Sequence, residues 1–528
     1  MHPVCGIPEL LEIMFSNLAD ESNTSNAQVC RQWSECALNV LWHDVMDFRR
    51  LFRILVPMKK EPTGAVMRYT FTRQAEVNDW KRFDRYRHRV RRLLCWIQPS
   101  PTCVIDLSVF EEVSRTRTSL NVFPNLRILT WDAPIWSGIV FMHDNVTDLR
   151  LYPCLMERGS PCFREIVARM PNITRLQLHM AFPTSLLAEE LVQLVRGLRS
   201  LRHITLPREI PAAKFMEALS NLHALHTISF HYGHSPGFWS QENIPLRPSL
   251  NTGAFYSLSS LSICLHFEDA IYLFKMLSVP SQLRMICLDS PEIESPPKVH
   301  DLLVAVAKSA PDLKTLILWS SSDADGYTAL PTSPENIIDI KTIRPLFNCR
   351  DIRCLDFLLR HTIYLNESDV EEVAKAWPSI QRLVLNHTPK HLHDGVLTLG
   401  SLLPFARHCP HLETLALFIS ADAVEPARSV LGPIMRRLHF FYPGSSDIGD
   451  PGIVSLSLSR IFPPGAQVLP YSVTEVNQNI PAPVMQIIQS RSEKWKMVSE
   501  MLPILMQARS EERQRMRSAM QSRYKSLD

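Results

Sequence analysis

Apolar positions follow two different patterns along the chain. Near the N-terminus they recur at helical spacing at Leu10, Leu11, Met14, Phe15 and Leu18. Pro8 suits the first position of a helix, where its missing N–H costs nothing. From about Leu126 onward the pattern changes to a recurring phrase, apolar-x-x-apolar-x-apolar. The chain therefore combines a short helical head with a long repeated body.

Two more helices are expected in the head. Asn23 and Ser25 are both good helix caps, so a second helix is predicted to begin near them and to run past Trp33 to Ala37. Leu38, Leu41 and Trp42 are predicted to form a third apolar stripe. About 40 residues cannot bury so much apolar surface alone, so we expect the head to bury part of this surface against a partner.

The repeated phrase occurs throughout the body. Its copies are Leu126-x-x-Leu129-x-Trp131, Val146-x-x-Leu149-x-Leu151, Ile173-x-x-Leu176-x-Leu178, Leu201-x-x-Ile204-x-Leu206, Leu225-x-x-Ile228-x-Phe230, Leu258-x-x-Leu261-x-Ile263, Leu283-x-x-Ile286-x-Leu288, Leu313-x-x-Leu316-x-Leu318, Ile352-x-x-Leu355-x-Phe357, Ile380-x-x-Leu383-x-Leu385, Leu412-x-x-Leu415-x-Leu417 and Met435-x-x-Leu438-x-Phe440. The similar segment at Ile453, Leu456 and Leu458 is better interpreted as a capping helix, since Asp450-Pro451 opens it and Pro463 closes it.

Helical stretches and prolines surround these phrases. Before most of them lies an amphipathic stretch, and in several copies a proline stands two residues before the first apolar position: Pro124, Pro171, Pro311, Pro378 and Pro410. Proline disfavours the helical region for the residue before it, so the helix ends and an extended segment begins. Repetition of helix, proline and strand predicts an α/β fold, a leucine-rich-repeat solenoid with parallel strands and convex-side helices. The usual Asn or Cys after the phrase is present only at Cys154, so the repeats are of an irregular, helix-rich kind.

The head resembles a known family. Ile7-Pro8-Glu9-Leu10-Leu11, Val29-Cys30-Arg31-x-Trp33 and Leu41-Trp42, in this order and spacing, resemble the F-box over roughly residues 5–45. The style is similar to the large F-box families with irregular repeats in mushroom-forming fungi. The middle, residues 20–26, departs from the family because it is nearly all polar where aliphatic residues are usual.

The resemblance implies a function and a set of contacts. F-box proteins bind a Skp-type adaptor within cullin-based (SCF-type) ubiquitin ligases, so we expect a substrate-recognition subunit that holds an unidentified client protein on its repeats. The expected adaptor contacts are Ile7, Pro8, Leu10, Leu11, Phe15, Val29, Trp33, Leu41 and Trp42. Two alternatives remain: an interaction scaffold whose head is degenerate and binds no ligase, and a nucleic-acid or chromatin binder.

Composition and cysteine use narrow the class of protein. The chain has 528 residues, 45% hydrophobic and 21% charged, with a net charge of +3, which favours neither nucleic acid nor membrane globally. Its twelve cysteines are scattered, and Glu9 and Glu12 interrupt the first apolar run, so the N-terminus is a poor signal peptide. No stretch approaches the length of a membrane helix. We expect an intracellular protein of the cytoplasm or nucleus that is not an enzyme and has no cofactor, no metal and no membrane partner.

The expected domains are residues 1–48 for the F-box-like module, 49–100 for connecting helices, 101–470 for the repeats and 471–528 for a basic extension. Lys81, Arg82 and the arginines up to Arg92 are interpreted as the solvated face of a connecting helix, which makes nucleic-acid binding unlikely there. His387, His391, His393 and Asp394 lie close together but lack the helical spacing of a zinc protease site.

The client face follows from strand geometry. Side chains alternate across a strand, so the residue after the last apolar position of each phrase should point out of the buried layer. This predicts a column of Asp132, Tyr152, His179, His231, Asp289, Trp319, Asn386, Phe418 and Phe441. Trp319 and Phe418 are the expected anchors. The alternatives are that loops or the C-terminal segment cover the column, or that the loop from Ser320 to Pro334 binds the client.

Overall fold

A computed structural model of the chain describes residues 7–64, 66–96, 103–159, 161–180, 182–209, 211–230, 246–277, 281–320, 332–392, 397–421, 434–471 and 480–525. Within the last helix, the side chains of residue 513 and of residues 517–525 are outside the description. The chain divides into two compact units, Met1–Glu242 and Asn243–Asp528. No helix in the described ranges is long and apolar enough to cross a membrane.

The α-helices are α1 Pro8–Ser16, α2 Asp20–Asn26, α3 Arg31–Leu41, α4 Phe48–Leu55, α5 Val77–Arg87, α6 Leu107–Thr116, α7 Ile135–Gly138, α8 Cys162–Arg169, α9 Ala188–Gly197, α10 Ala213–Ser220, α11 Phe267–Met276, α12 Pro296–Ser309, α13 Ile340–Ile343, α14 Glu367–Ala376, α15 Leu402–His408, α16 Pro451–Ile461 and α17 Ala482–Lys525. Short 3-10 helices lie at Ile139–Phe141, Leu155–Glu157, Thr184–Leu187, Pro334–Asn336, Arg344–Asn348 and Leu399–Ser401.

The strands are β1 Asp44–Val45, β2 Met58–Thr63, β3 Val66–Phe71, β4 Arg92–Trp96, β5 Cys103–Ile105, β6 Ile128–Asp132, β7 Asp148–Leu151, β8 Arg175–Leu178, β9 His203–Leu206, β10 Thr227–Phe230, β11 Ser260–Cys264, β12 Met285–Ser290, β13 Thr315–Ser320, β14 Ile337–Ile338, β15 Cys354–Leu358, β16 Thr362–Ile363, β17 Arg382–Leu385, β18 Thr414–Leu417, β19 Ser420–Ala421, β20 Phe440–Gly444, β21 Asp447–Ile448 and β22 Gln467–Pro470.

The head contains three helices, but two of them have bounds that differ from the prediction. Helix α1 begins at Pro8 as expected. The second helix was predicted to start near Asn23 and to reach Ala37, whereas α2 ends at Asn26 and α3 starts afresh at Arg31. Leu38 and Leu41 lie on α3 and form no separate helix. Capping propensity was misleading here, because Asn23 and Ser25 are interior residues of α2, which begins at Asp20.

In the first unit the main strands are parallel and in register. β1 pairs with β4, β4 with β6, β6 with β7, β7 with β8, β8 with β9, and β9 with β10. The middle apolar positions align directly across the strands as Leu93, Leu129, Leu149, Leu176, Ile204 and Ile228, and all are buried. The predicted α/β class and parallel strands are confirmed.

The segment 49–100 is more than a set of connecting helices. It holds α4, an antiparallel hairpin of β2 and β3, α5 and then β4, which pairs with β6 in the main sheet. Phe48, at the start of α4, lies 5.7 Å from Phe110 and 6.1 Å from Trp131 between ring centroids. The repeat body thus begins before Leu126, at Val90-x-x-Leu93-x-Cys95, a copy of the phrase that the sequence interpretation assigned to a connecting helix.

The second unit repeats the same arrangement. Parallel pairs link β11, β12, β13, β15, β17, β18, β20 and β22 in that order. The apolar positions of the phrases between residues 258 and 417 are all buried. The last phrase was assigned three residues out of register: Phe441, and not Leu438, pairs with Leu415, the middle position of the preceding phrase. Phe441 is fully buried, whereas Phe440 is 38% exposed. A shift by an odd number of residues exchanges the two faces of a strand.

The end of the second unit is closed by α16 and α17. Asp450 caps α16, accepting a hydrogen bond from the Ile453 N–H at 2.9 Å, as the sequence predicted. The segment 471–528, predicted as an extension, instead packs against the repeats through Trp495, Val498 and Leu502, all fully buried. The Trp495 indole N–H donates to the Ser446 carbonyl at 3.1 Å.

Buried glutamates connect successive repeats. The Glu157 carboxylate accepts a hydrogen bond from the Ile135 N–H at 2.5 Å, Glu209 accepts from the Thr184 N–H at 2.7 Å, and Glu294 accepts from the Phe267 N–H at 2.7 Å. In each case the glutamate follows one strand and caps the helical segment that follows the preceding strand. These contacts satisfy buried N–H groups at helix starts, a role that the missing Asn or Cys of the phrase would otherwise serve.

Cysteines of the described residues are free thiols, and most are at least partly buried. Burial raises the pKa of the Cys349 thiol to about 11 and that of the Cys409 thiol to about 12. Cys30, which precedes α3, is exposed.

Candidate functional site

The head leaves an apolar face uncovered. Its own core is made by Leu11, Phe15, Cys36 and Ala37. Outside this core, six large apolar side chains are more than a third exposed: Ile7, Leu10, Ile13, Met14, Leu18 and Val29. All but Val29 lie in or directly beside α1, on the arc next to the buried Leu11 and Phe15, because helical residues three and four apart share a face. We call these six residues the head face.

The predicted adaptor contacts separate into exposed and buried groups. Ile7, Pro8, Leu10 and Val29 are exposed. Leu11, Phe15, Leu41 and Trp42 are buried within the protein, which leaves little of their side chains for an adaptor to contact. Trp33 is half-buried and its ring meets Phe15 edge-on at 5.3 Å, which makes it part of the core of the head. Helical spacing alone could not tell which side of the wide apolar stripe of α1 faces inward.

The polar middle of the head forms a helix of its own. Asn23, in α2, is fully buried, and its amide Nδ2 donates to the Phe15 carbonyl at 2.9 Å. This bond ties α2 to the end of α1, where the Phe15 carbonyl also accepts a hydrogen bond from the Leu18 N–H at 3.0 Å. A polar sequence can therefore complete this three-helix module without aliphatic residues in its middle helix.

The head is joined to the rest of the first unit by aromatic and ionic contacts. The Trp42 ring packs edge-on against Tyr86 at 5.2 Å, and the Arg50 guanidinium lies 4.8 Å from the Trp42 ring centroid. Arg89 pairs with the Glu35 carboxylate and donates to the Glu35 carbonyl at 3.1 Å. Trp42 thus fixes the head to the body instead of facing a partner.

The predicted client column is largely buried in the second unit. Asp289 and Phe441 are fully buried, Asn386 is 3% exposed and Phe418 is 9% exposed, so little of these side chains is open to a client. Asn386 has a left-handed backbone, with φ of 38°, and its Nδ2 donates to the His361 carbonyl. Trp319 is half-buried. The loop at residues 321–331, the alternative client site, is outside the described residues.

Side chains between the core positions of the second unit are also buried. Cys287, Asp356, Val384 and Ala416 alternate with core residues along their strands, yet each is 5% exposed or less. Alternation along a strand predicts which face a side chain takes, but not whether solvent reaches that face. The second unit therefore offers a client little of the predicted column.

The column is more open in the first unit. Asp132, Tyr152 and His179 are half-buried, and His231 is outside the described residues. The Tyr152 and His179 rings stack with centroids 4.3 Å apart and planes 7° from parallel. Trp96, which the sequence interpretation missed because it assigned this segment to a connecting helix, packs edge-on against Tyr152 at 5.2 Å. We call Trp96, Tyr152 and His179 the aromatic row.

Arginines lie beside the aromatic row. Arg150 and Arg175 are 39% and 50% exposed at their side chains, whereas the Asp148 side chain is 8% exposed. Arg175 Nη1 lies 3.3 Å from one Asp148 oxygen, and Arg150 Nε lies 4.0 Å from the other. Two guanidinium groups therefore share one carboxylate.

The basic segment around α5 is occupied by contacts within the chain. The Arg82 guanidinium donates to the Ile54 carbonyl at 2.8 Å and the Leu55 carbonyl at 3.1 Å. The Arg87 guanidinium donates to the Asn121 carbonyl at 2.9 Å. These arginines attach α5 to its neighbours. The predicted solvated helix face is therefore only partly right, because the Arg87 side chain is 13% exposed and Arg92 lies on β4.

One group of possible metal ligands, missed at the sequence level, occurs among the described residues: His266, Glu292 and Glu294. The Lys298 ammonium lies 3.2 Å from one Glu294 oxygen, and the other oxygen accepts the Phe267 N–H. These contacts already neutralise and orient the buried carboxylate. Of the predicted histidine group, His393 and Asp394 are outside the described residues.

Comparisons with known proteins identify no family. No family model matches the chain, and no curated protein matches it. A chain of the crystal structure of the Rad7 and Elc1 complex in yeast aligns with 14% identity and a TM-score of 0.34, over 67% of this chain and 76% of that chain. A chain of the TLR13–ssRNA13 complex aligns with 14% identity and a TM-score of 0.27, over 69% of this chain and 64% of that chain. Scores this low do not bear on the function of the chain.

Proposed function

We propose that the chain is the substrate-recognition subunit of a cullin-based ubiquitin ligase. In this proposal the head binds a Skp-type adaptor and the repeat body holds a client protein in the cytoplasm or nucleus. The observation that carries the proposal is the head face, which stays exposed although the head has a closed core of its own. It coincides in sequence with the opening motif that resembles the F-box.

The unfavourable exposure of the apolar head face to water supports the proposal that an adaptor binds there. Exposed apolar patches on soluble proteins mark interaction sites, and Leu10, Ile13 and Met14 of the head face lie on one side of α1, since helical residues three and four apart share a face. Full burial of a fully exposed side chain of this kind contributes about 1.5–3 kcal/mol. These three are 38–61% exposed, so the burial of each by a partner contributes roughly half of that. The contacts of Trp42 and Arg89 hold the head, and with it the head face, in a fixed orientation relative to the rest of the first unit. An adaptor bound to the head face would share this orientation.

The proposed role requires no chemistry from this chain. A receptor accelerates ubiquitin transfer by raising the effective concentration of a client lysine near the loaded enzyme. The chain would act as a rigid connector between the head face and a client surface on the repeats.

A paired substitution tests the adaptor contact. Leu10→Glu with Met14→Glu places two charges on the head face, where both side chains are exposed, so the fold should tolerate them. We expect recovery of a Skp-type adaptor in affinity purification to fall at least about tenfold, since a buried unpaired charge costs several kcal/mol.

A matched control uses the same chemistry elsewhere in the first unit. Leu155 and Met156 are 50% and 90% exposed, and Leu155→Glu with Met156→Glu should leave adaptor recovery unchanged. Equal adaptor recovery from both double variants, or none from the unmodified protein, would contradict the proposed ligase role. The second result would favour the scaffold with a degenerate head.

The nucleic-acid alternative has weaker support. It rests on the basic segment of α5, whose Arg82 and Arg87 donate to backbone carbonyls of the chain. A binding constant for nucleic acid that falls steeply with salt would support it.

A further inference from the structure

The outer face of the first-unit sheet carries excess positive charge at one place. Asp148 and Arg150 alternate with Leu149 and Leu151, which are fully buried, so both polar side chains point to the opposite face. Arg175 is the register partner of Asp148 on the next strand and lies on the same face. One nearly buried carboxylate cannot neutralise two guanidinium groups, so one positive charge stays uncompensated by Asp148.

Both arginines keep part of their side chains open to a ligand. Arg150 and Arg175 are 39% and 50% exposed at their side chains, although Arg150 Nε itself, 4.0 Å from Asp148 Oδ1, is buried and has no hydrogen-bond partner among the described residues. An arginine presents five N–H donors in a planar fork that suits a carboxylate. His203, on the strand beyond Arg175, also faces this region, and burial together with Arg175 lowers the pKa of its imidazole.

The aromatic row lies next to these arginines at a defined spacing. Tyr152 follows Arg150 by two residues, and Leu151 between them is fully buried. Two residues of an extended chain span about 7 Å. An extended peptide that runs along the strand would place side chains i and i+2 at the same spacing as Arg150 and Tyr152.

We propose that this outer face binds an extended protein segment that carries a carboxylate and, two residues away, an aromatic or large apolar side chain. The carboxylate pairs with Arg150 and Arg175, and the apolar side chain packs on Tyr152 and its neighbours in the aromatic row. The proposal deepens the proposed function, on which it rests for the role of the bound segment as a client.

The charge pattern favours an acidic peptide over nucleic acid. Asp132 and Asp148 lie among the positive groups, and a continuous phosphate backbone would meet both of them. The Tyr152 ring is stacked on His179 and meets Trp96 edge-on, so the row presents no pair of open ring faces between which bases could stack. A peptide with one carboxylate places that charge beside Arg150 and Arg175, whose two positive charges exceed the single charge of Asp148, and it meets Asp132 without a second negative charge.

The experiment measures binding of the full-length chain to a peptide array. Its members carry Glu-Ala-Phe in varied neutral flanks, and each is matched by Gln-Ala-Phe and Lys-Ala-Phe versions. Members that bind are remeasured in solution by fluorescence anisotropy. We expect the Gln versions to bind about tenfold more weakly or worse, because a charge-assisted pair is lost.

Arg150→Gln with Arg175→Gln should cause the same loss for the Glu peptides. The matched control is Arg164→Gln with Arg169→Gln on α8, which removes the same charge from the helical layer of the same unit. The control should bind like the unmodified chain. The peptide series needs no substitution in the protein, so the proposal stays testable if the Arg150 variant fails to fold.

Several results would overturn the inference. These are equal binding of the Glu and Gln peptides, no binding by any member, binding only after a serine is phosphorylated, or tighter binding of a single-stranded RNA. Adaptor recovery is measured on the same preparations. If the unmodified chain recovers the adaptor but binds no peptide, only this inference is refuted. If it binds the peptides but recovers no adaptor, only the ligase role is refuted.

Discussion

His387 shows how a single side chain can tie the stability of the second unit to pH. Burial lowers the pKa of its imidazole to about 4, and Arg382 contributes to the same shift. Its Nδ1 has no hydrogen-bond partner among the described residues. Gly444, with φ of +60°, passes so close to the His387 carbonyl that any larger residue would collide with it. The imidazole is therefore held in a tight site and is neutral at physiological pH.

The sign of the pH effect follows from the lowered pKa. The unfolded chain binds a proton near the usual histidine pKa of about 6.5, before the folded state does. The stability that neutral His387 contributes is fully present above that pH and is lost progressively as the pH falls towards 4. The loss is at most about 3 kcal/mol.

Replacement by a ring that does not titrate tests this expectation. In His387→Phe, hydrogen-exchange protection of β17 and β18, corrected for intrinsic rates, should change less between pH 7 and pH 5 than in the unmodified chain. His411 is exposed, so His411→Phe should keep the full pH dependence. An identical pH dependence in all three proteins would show that His387 does not titrate as proposed.

At the scale of the helix and strand, the buried glutamates connect one repeat to the next. Glu209 is 8% exposed and accepts the Thr184 N–H, and burial raises the pKa of its carboxyl. A raised pKa means that the folded state disfavours the ionised form. The contribution of this group to stability is therefore largest at low pH and declines as the pH rises through its folded pKa.

Substitution of Glu209 separates its hydrogen bond from its charge. Glu209→Ala leaves a buried N–H without an acceptor, which costs about 1–3 kcal/mol, and protection should fall mainly in α9 and the turn before it. Glu209→Gln retains an acceptor without the charge and should be at least as stable as the unmodified chain at pH 7.5. Glu189 is exposed on α9, so Glu189→Ala should have little effect. Greater destabilisation by Gln than by Ala would disprove this account.

Helices and strands with a strong hydrophobic periodicity could be predicted from the sequence, but the contacts between them could not. The phrase at Leu126, Leu129 and Trp131 predicted a strand and its buried face correctly. The glutamate contacts were missed because Glu157 and Glu209 follow their strands at different distances, so no fixed spacing reveals them. Strand β4 was missed because Val90, Leu93 and Cys95, which fit the phrase, were interpreted as part of a connecting helix.

The residues of the candidate site could be predicted only where the hydrophobic pattern alone determines which side of the helix or strand is exposed. Leu10 and Leu11 are adjacent and both apolar, yet one is 38% exposed and the other fully buried. Which of them faces inward depends on where α3 packs, a contact between distant positions that periodicity does not encode. The same holds for Phe418, whose burial depends on what covers its face.

At the scale of the whole molecule, two compact units predict local responses to damage. Leu316 is fully buried on β13 in the second unit, and Leu149 is fully buried on β7 in the first. In repeat arrays each repeat contacts mainly the neighbouring repeats. An unpaired charge buried in one repeat should therefore unfold mainly the region around it.

A reciprocal pair of variants checks this locality. Leu316→Asp should remove hydrogen-exchange protection mainly within Asn243–Asp528, and Leu149→Asp mainly within Met1–Glu242. Each variant is the control for the other. Equal loss of protection across the whole chain in both variants would indicate one cooperative core.

The uneven exposure of the cysteines allows the head to be labelled selectively. Cys30 is exposed directly before α3 and beside Val29 of the head face, whereas burial raises the thiol pKa at Cys36 and Cys349 and so suppresses their reactive thiolate form. Cys5 is outside the described residues and can be removed as Cys5→Ser. A maleimide dye would then attach preferentially at Cys30, so its colour and brightness would signal in real time whether anything occupies the neighbouring surface.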